Sequence, residues 1–113
     1  MKIVTDSMTF RELQDMAAAL FDDMVKAVVD VRLETLALDA ELHADLEALL
    51  LEHGSSPADL WGINLYPALS GEEFLEFDSM INVRPGQGNR SRGVDDDEIR
   101  RKIADIVVRR IDR

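Results

Sequence analysis

Four side chains able to move protons or ligate metal stand two apart in Glu41-x-His43-x-Asp45-x-Glu47. Residues two apart share one face of a β-strand, so on a strand this spacing lines carboxylates and an imidazole along one side. Carboxylate with imidazole suits a divalent transition metal such as zinc or manganese, or acid–base work by His43 with Asp45. The row's ends would lie roughly 20 Å apart on a strand, so one ion would take at most two neighbours among Glu41, His43 and Asp45, plus ligands from elsewhere. On a helix the row splits into Glu41 with Asp45 and His43 with Glu47. The plainer expectation is a solvated polar face, and no cofactor is expected.

A second set is Arg84, Asn89, Arg90 and Arg92, interleaved with glycines at 86, 88 and 93. Arginine forks match phosphate or carboxylate oxygens in pairs, and glycines let backbone N–H groups turn inward. Asp95-Asp96-Asp97-Glu98 follows at once and opposes an anion at the next helix start, so ion pairing within the chain competes with ligand binding. The segment is not a P-loop, because it lacks the Gly-Lys-Ser/Thr ending. Asp78, Asn82 and Arg84 form a third set on the polar side of a late strand, beside Asn64 and Tyr66 of the strand before it. Trp61, the single tryptophan, is expected as a core anchor rather than a stacking platform. Ser79 or Ser91 with His43 has no nucleophile-elbow pattern around it.

These residues need elements to hold them. Lys2–Thr5 reads as a short edge strand. Thr9-Phe10-Arg11-Glu12 is a capping box, and Phe10, Leu13, Met16, Ala17 and Leu20 continue it as a helix over about Phe10–Phe21. Lys26–Leu33 alternates as a half-buried strand. From Leu36 to Leu50 apolar residues fill the even positions, which favours two strands. Yet Ala, Leu and Glu are helix formers, and Leu42, Leu46, Leu49, Leu50 and His53 also make a helical stripe. Gly54–Pro57 is a turn, Leu60–Tyr66 a strand, Ser70-Gly71 a turn, and Leu75–Val83 a long strand stopped by Pro85. Pro85–Gly93 is a loop. Asp95–Glu98 opens a last helix with Ile99, Ile103, Ile106, Val107 and Ile111 as its buried stripe. The expected fold is α+β: one domain over residues 1–113, a mainly antiparallel sheet of about five to six strands, and the N- and C-terminal helices on one face, leaving the other partly wet.

The stretches ELHAD (41–45), LWGINLYP (60–67) and FDSMINVRP (77–85), running into QGNRSR (87–92), resemble a family of small prokaryotic proteins, a domain of unknown function. The resemblance is clearest from Lys26 to Ile111. It implies one compact domain and marks these polar stretches as typical of the group, and it implies no activity. Glycines common in that family near Asp39-Ala40 are absent here, which keeps the helical reading of the 36–52 segment open.

Composition narrows the function classes. The chain has 113 residues, no cysteine and a net charge of −10. Disulfides, thiolate zinc sites and a cysteine nucleophile are excluded. No apolar run approaches the ~20 residues of a membrane span, and no signal-peptide pattern is present, so a cytoplasmic protein without a membrane partner is expected. Residues 1–83 carry 4 basic and 17 acidic side chains, and residues 84–113 carry 9 and 6. The acidic body argues against nucleic acid as a partner. Its basic C-terminal part suits self-association into a homo-oligomer. The leading expectation is a binding module in which Arg84, Asn89, Arg90, Arg92, Asp78 and Asn82 recognise a small anionic ligand or an acidic protein partner. The alternative is a small metal-dependent or acid–base hydrolase of a phosphorylated or nucleic-acid substrate, using His43 and Asp45. The sequence does not decide whether the protein is an enzyme.

Overall fold

A computed structural model describes residues 1–113. Five strands form one antiparallel sheet in the order β1-β4-β3-β5-β6: β1 Lys2–Val4, β4 Thr35–Leu38, β3 Val25–Asp30, β5 Leu60–Leu65 and β6 Leu75–Glu76. Two further short strands, β2 Met8–Thr9 and β7 Ile111–Asp112, pair in parallel and tie the two ends of the chain together. Three helices complete the fold: α1 Phe10–Leu20, α2 His43–Glu52 and α3 Asp97–Arg110. The architecture is α+β, as the sequence implies.

Alternation along the strands divides the sheet into two faces. Val25, Ala27, Val29, Leu36, Leu38, Trp61, Ile63 and Leu65 belong to the larger core, with Leu13 and Ala17 of α1 and Ile103, Ile106 and Val107 of α3. The first and last helices therefore cover one face, as expected. Both begin where their caps dictate. The Thr9–Glu12 capping box closes α1, and the Asp96 carboxylate accepts the Glu98 and Ile99 N–H groups of α3.

The opposite face is not left wet. Val28, Ala37 and Leu60 pack there against Leu46 and Leu50 of α2. This corrects the expectation of two strands over residues 36–52. The segment is a strand only to Leu38, and from His43 to Glu52 it is a helix. The buried residues His43, Leu46 and Leu50 follow helical, not alternating, spacing. β3 is likewise no half-buried strand: it lies in the middle of the sheet, and Ala27, Val28, Val29 and Asp30 are all fully buried. Asp30 is accommodated because its carboxylate accepts N–H from Arg32 and Leu33 and the Ser55 hydroxyl.

The long strand expected at Leu75–Val83 is also corrected. It pairs only at Leu75–Glu76, and Met80–Asn82 is a 3-10 turn. The buried Asn82 side chain takes over there, accepting the Gly62 N–H at 2.8 Å and donating to the Gly62 carbonyl at 2.9 Å. One amide thus imitates a neighbouring strand. Only glycine permits this approach, since a Cβ on residue 62 would lie 2.5 Å from Ser79. No helix is long and apolar enough to cross a membrane.

Candidate functional site

The arginine loop is the first candidate, and its geometry is that of a structural element. Arg84 donates to the carbonyls of Pro57 and Leu60, each at 2.6 Å, and its guanidinium lies 4.2 Å from the Trp61 ring centroid. Asn89 is buried and donates to the carbonyls of Asn82, Ser91 and Gly93, while its oxygen accepts the Asp95 N–H at 2.8 Å. Asn82 adds a bond to the Arg92 carbonyl at 2.9 Å. Arg92 pairs with Asp78 at 2.6 Å. Asp95 accepts from the Ser91 hydroxyl and the Arg90 N–H, and these bonds hold its carboxyl below the usual carboxylate range. Of the acids before and at the start of α3, only Asp95 engages the loop, through the Ser91 hydroxyl and backbone N–H groups rather than an arginine side chain. Arg90 alone among these residues has an exposed side chain with no partner in the chain.

The basic C-terminus is used within the chain as well. Arg109 pairs with Glu34, Arg110 donates to the carbonyls of Glu34 and Asp6, and Arg113 stacks over Phe10 and Phe74.

The acid–histidine row does not form. Glu41 lies before α2, Asp45 is exposed on it, and no group of three or more His, Asp or Glu side chains converges anywhere in the chain. His43 stands apart from that row, at the first turn of α2, with only 8% of its surface exposed.

His43 instead helps line a cleft of about 480 Å³, together with Lys26, Asn64, Tyr66, Glu76, Asp78 and Arg92 and the apolar side chains of Met24, Leu42, Met80 and Ile81. The sheet register explains the grouping. Lys26 of β3 lies directly opposite Asn64 of β5, and Asn64 opposite Glu76 of β6, all on the face that α2 covers. The cleft therefore gathers Asp78 and Arg92 from the predicted ligand set and His43 from the predicted acid–base set, and omits Asn82, Arg84, Asn89, Arg90, Glu41 and Asp45.

Three groups in it are unusual. Asn64 is 6% exposed, and its Nδ2 donates to Glu76 Oε1 at 2.9 Å and to the Asp78 carbonyl at 3.1 Å. Those two acceptors fix the amide orientation, because a flipped amide would set oxygen against oxygen. Its Oδ1 is left buried with no partner. His43 Nε2 lies 2.8 Å from the Ile63 carbonyl and must be the donor there, which leaves Nδ1 as an acceptor. Burial pushes the His43 pKa below its ordinary 6.5, and the charge of Lys26 adds to this, against the Ile63 bond, Asn64 and Asp78. The imidazole is thus neutral at neutral pH. Tyr66 donates to Glu76 at 2.9 Å, and its pKa is raised to about 12, first by desolvation and then by that bond.

Sequence reasoning placed Asn64 and Tyr66 only as neighbours of the late strand and missed Lys26. The signal was available in the polar positions that interrupt Val25–Asp30 and Leu60–Leu65 on the same face.

Fold and cleft together define a small α+β protein with a polar cleft between a helix start and a sheet. A family model described as "Protein of unknown function (DUF5674)" matches residues 2–110, and the chain belongs to that family. Comparison with the curated proteins and with the solved structures returns no match.

Proposed function

We propose that the protein is a binding module whose ligand site is the His43–Asn64 cleft rather than the arginine loop, and that its ligand is a small polar molecule. The observation that carries this reading is the orphaned Asn64 Oδ1. A buried acceptor without a partner costs about 1–3 kcal/mol, and native proteins leave few of them. An acceptor in that state, in a cleft of ligand size, is satisfied when a ligand donates to it. The buried asparagines of the arginine loop are already bonded, and the unpartnered buried atoms there, Arg84 Nε and Trp61 Nε1, are donors in a stacked pair, with the guanidinium 4.2 Å from the ring centroid.

The test is a thermal-melt panel of small polar compounds and inorganic anions on the whole chain. Each stabilising compound is repeated with Asn64→Ala and with Arg90→Ala. A compound at ~100 times its Kd stabilises by about 2.7 kcal/mol, a shift of several degrees. The reading expects shifts that vanish in Asn64→Ala and persist in Arg90→Ala. Shifts that persist in Asn64→Ala and vanish in Arg90→Ala would return the site to the loop.

A further inference from the structure

Resting on the cleft as the binding site, we infer that its ligand is an aromatic or heteroaromatic ring carrying an uncharged donor–acceptor edge: a primary carboxamide, or the equivalent amino and ring-nitrogen edge of a nucleobase. The cleft's unmet demands are of two kinds. Asn64 Oδ1 and His43 Nδ1 are both acceptors, and neither has a donor within the chain. Both residues line the same cleft. Lys26, opposite Asn64 in the sheet register, is a donor that takes part in none of the chain's ion pairs, its ammonium lying 5.5 Å from the Phe21 ring centroid.

An N–H₂ group meets the two acceptors, and an adjoining oxygen or ring nitrogen meets the Lys26 ammonium. A carboxylate meets Lys26 but sets its second oxygen against two acceptors. An ammonium meets the acceptors but is repelled by Lys26. Asp78 is paired with Arg92, whereas Glu76 accepts from Asn64 and Tyr66 through Oε1 and has no cationic partner. The cleft's two uncompensated charges, Lys26 and Glu76, are therefore of opposite sign and favour no net charge on the ligand. Met24 and Met80 supply thioethers along the cleft, and such side chains adapt to the flat face of a ring.

The experiment is a ¹H–¹⁵N NMR titration of the whole chain with four probes: benzamide, benzoate, cytidine and uridine. The readouts are the Asn64 side-chain NH₂ resonances and the backbone amides of Lys26 and His43. Benzamide or cytidine is expected to shift these signals and to bind at least tenfold tighter than its partner probe. Which of the two binds tighter separates a simple amide from a nucleobase. Asn64→Ala is expected to remove at least tenfold of that preference. Lys26→Met, an unbranched change at a half-buried position, provides a second variant with the same expectation should the first not fold. Benzoate or uridine binding equally well at these residues would overturn the donor–acceptor assignment and leave the cleft as the site. No shift at these residues with any probe, while other compounds move them, would also overturn the assignment. A cleft that no compound shifts would overturn both readings.

Discussion

The arginine loop and the His43 cleft are built from the same residue types and treat them in opposite ways. In the loop, Asn82 and Asn89 use both ends of their amides on backbone groups. In the cleft, Asn64 uses only its nitrogen. The three are buried to a similar extent, at 0%, 4% and 6% exposed. Burial therefore does not separate these three asparagines, whereas the count of satisfied amide atoms does. A loop rich in arginine and asparagine invites a ligand reading, yet its geometry makes it the brace that continues the pairing of β5 where β6 stops.

The comparison breaks most directly at Asn82. Asn82→Ala orphans both the N–H and the carbonyl of Gly62 and is expected to cost about 3–4 kcal/mol in urea unfolding. A loss under about 1 kcal/mol would show that the loop is not a brace. Asn89→Ala strips a partner from the Asp95 N–H and from three carbonyls, one of them on buried Asn82, and is expected to cost about 2–3 kcal/mol.

A pH series sharpens the contrast from the cleft side. The folded His43 pKa is depressed below 6.5, so the unfolded chain binds more protons on acidification. Stability contributed by neutral His43 is full above about pH 6.5 and declines as the pH falls toward the folded pKa. The carboxylates of Glu12, Glu34 and Asp95, with depressed values of their own, contribute losses only below about pH 4.5. His43→Gln, which keeps a donor for the Ile63 carbonyl, is expected to flatten the melting temperature between pH 7.5 and 5.5. An unchanged slope would place that titration elsewhere. The smallest effect belongs to Arg90→Ala, expected within about 0.5 kcal/mol of the parent in the same urea assay. A larger loss would mean its side chain braces the loop too.

The sequence made much of the scaffold legible. The capping box of α1, the acidic start of α3, the edge strand at Lys2 and the apolar stripe of the last helix each appear where local chemistry puts them. The 36–52 segment misleads for a definite reason. Leu42, Leu46 and Leu50 stand four apart, a spacing that satisfies both a period of two and a helical stripe. The burial of odd-numbered His43 settles the matter, and that burial depends on a partner twenty residues away, the Ile63 carbonyl. The late strand misleads because an asparagine side chain can stand in for backbone, and a sequence does not reveal which amide fills a ladder position. The cleft was half visible: Asp78, Arg92 and His43 were singled out, but in separate sets. Only the β3–β5–β6 register brings them beside Lys26 and Asn64.

The central claim is that Asn64 is held for a ligand while Asn89 is held for the fold. Paired urea unfolding of Asn64→Ala and Asn89→Ala, without ligand, tests it most directly. Asn64→Ala removes an orphaned acceptor along with its two donor bonds, one of them to exposed Glu76, and is expected to cost under about 1 kcal/mol against about 2–3 for Asn89→Ala. Equal losses in the two variants would make Asn64 another brace and contradict the account.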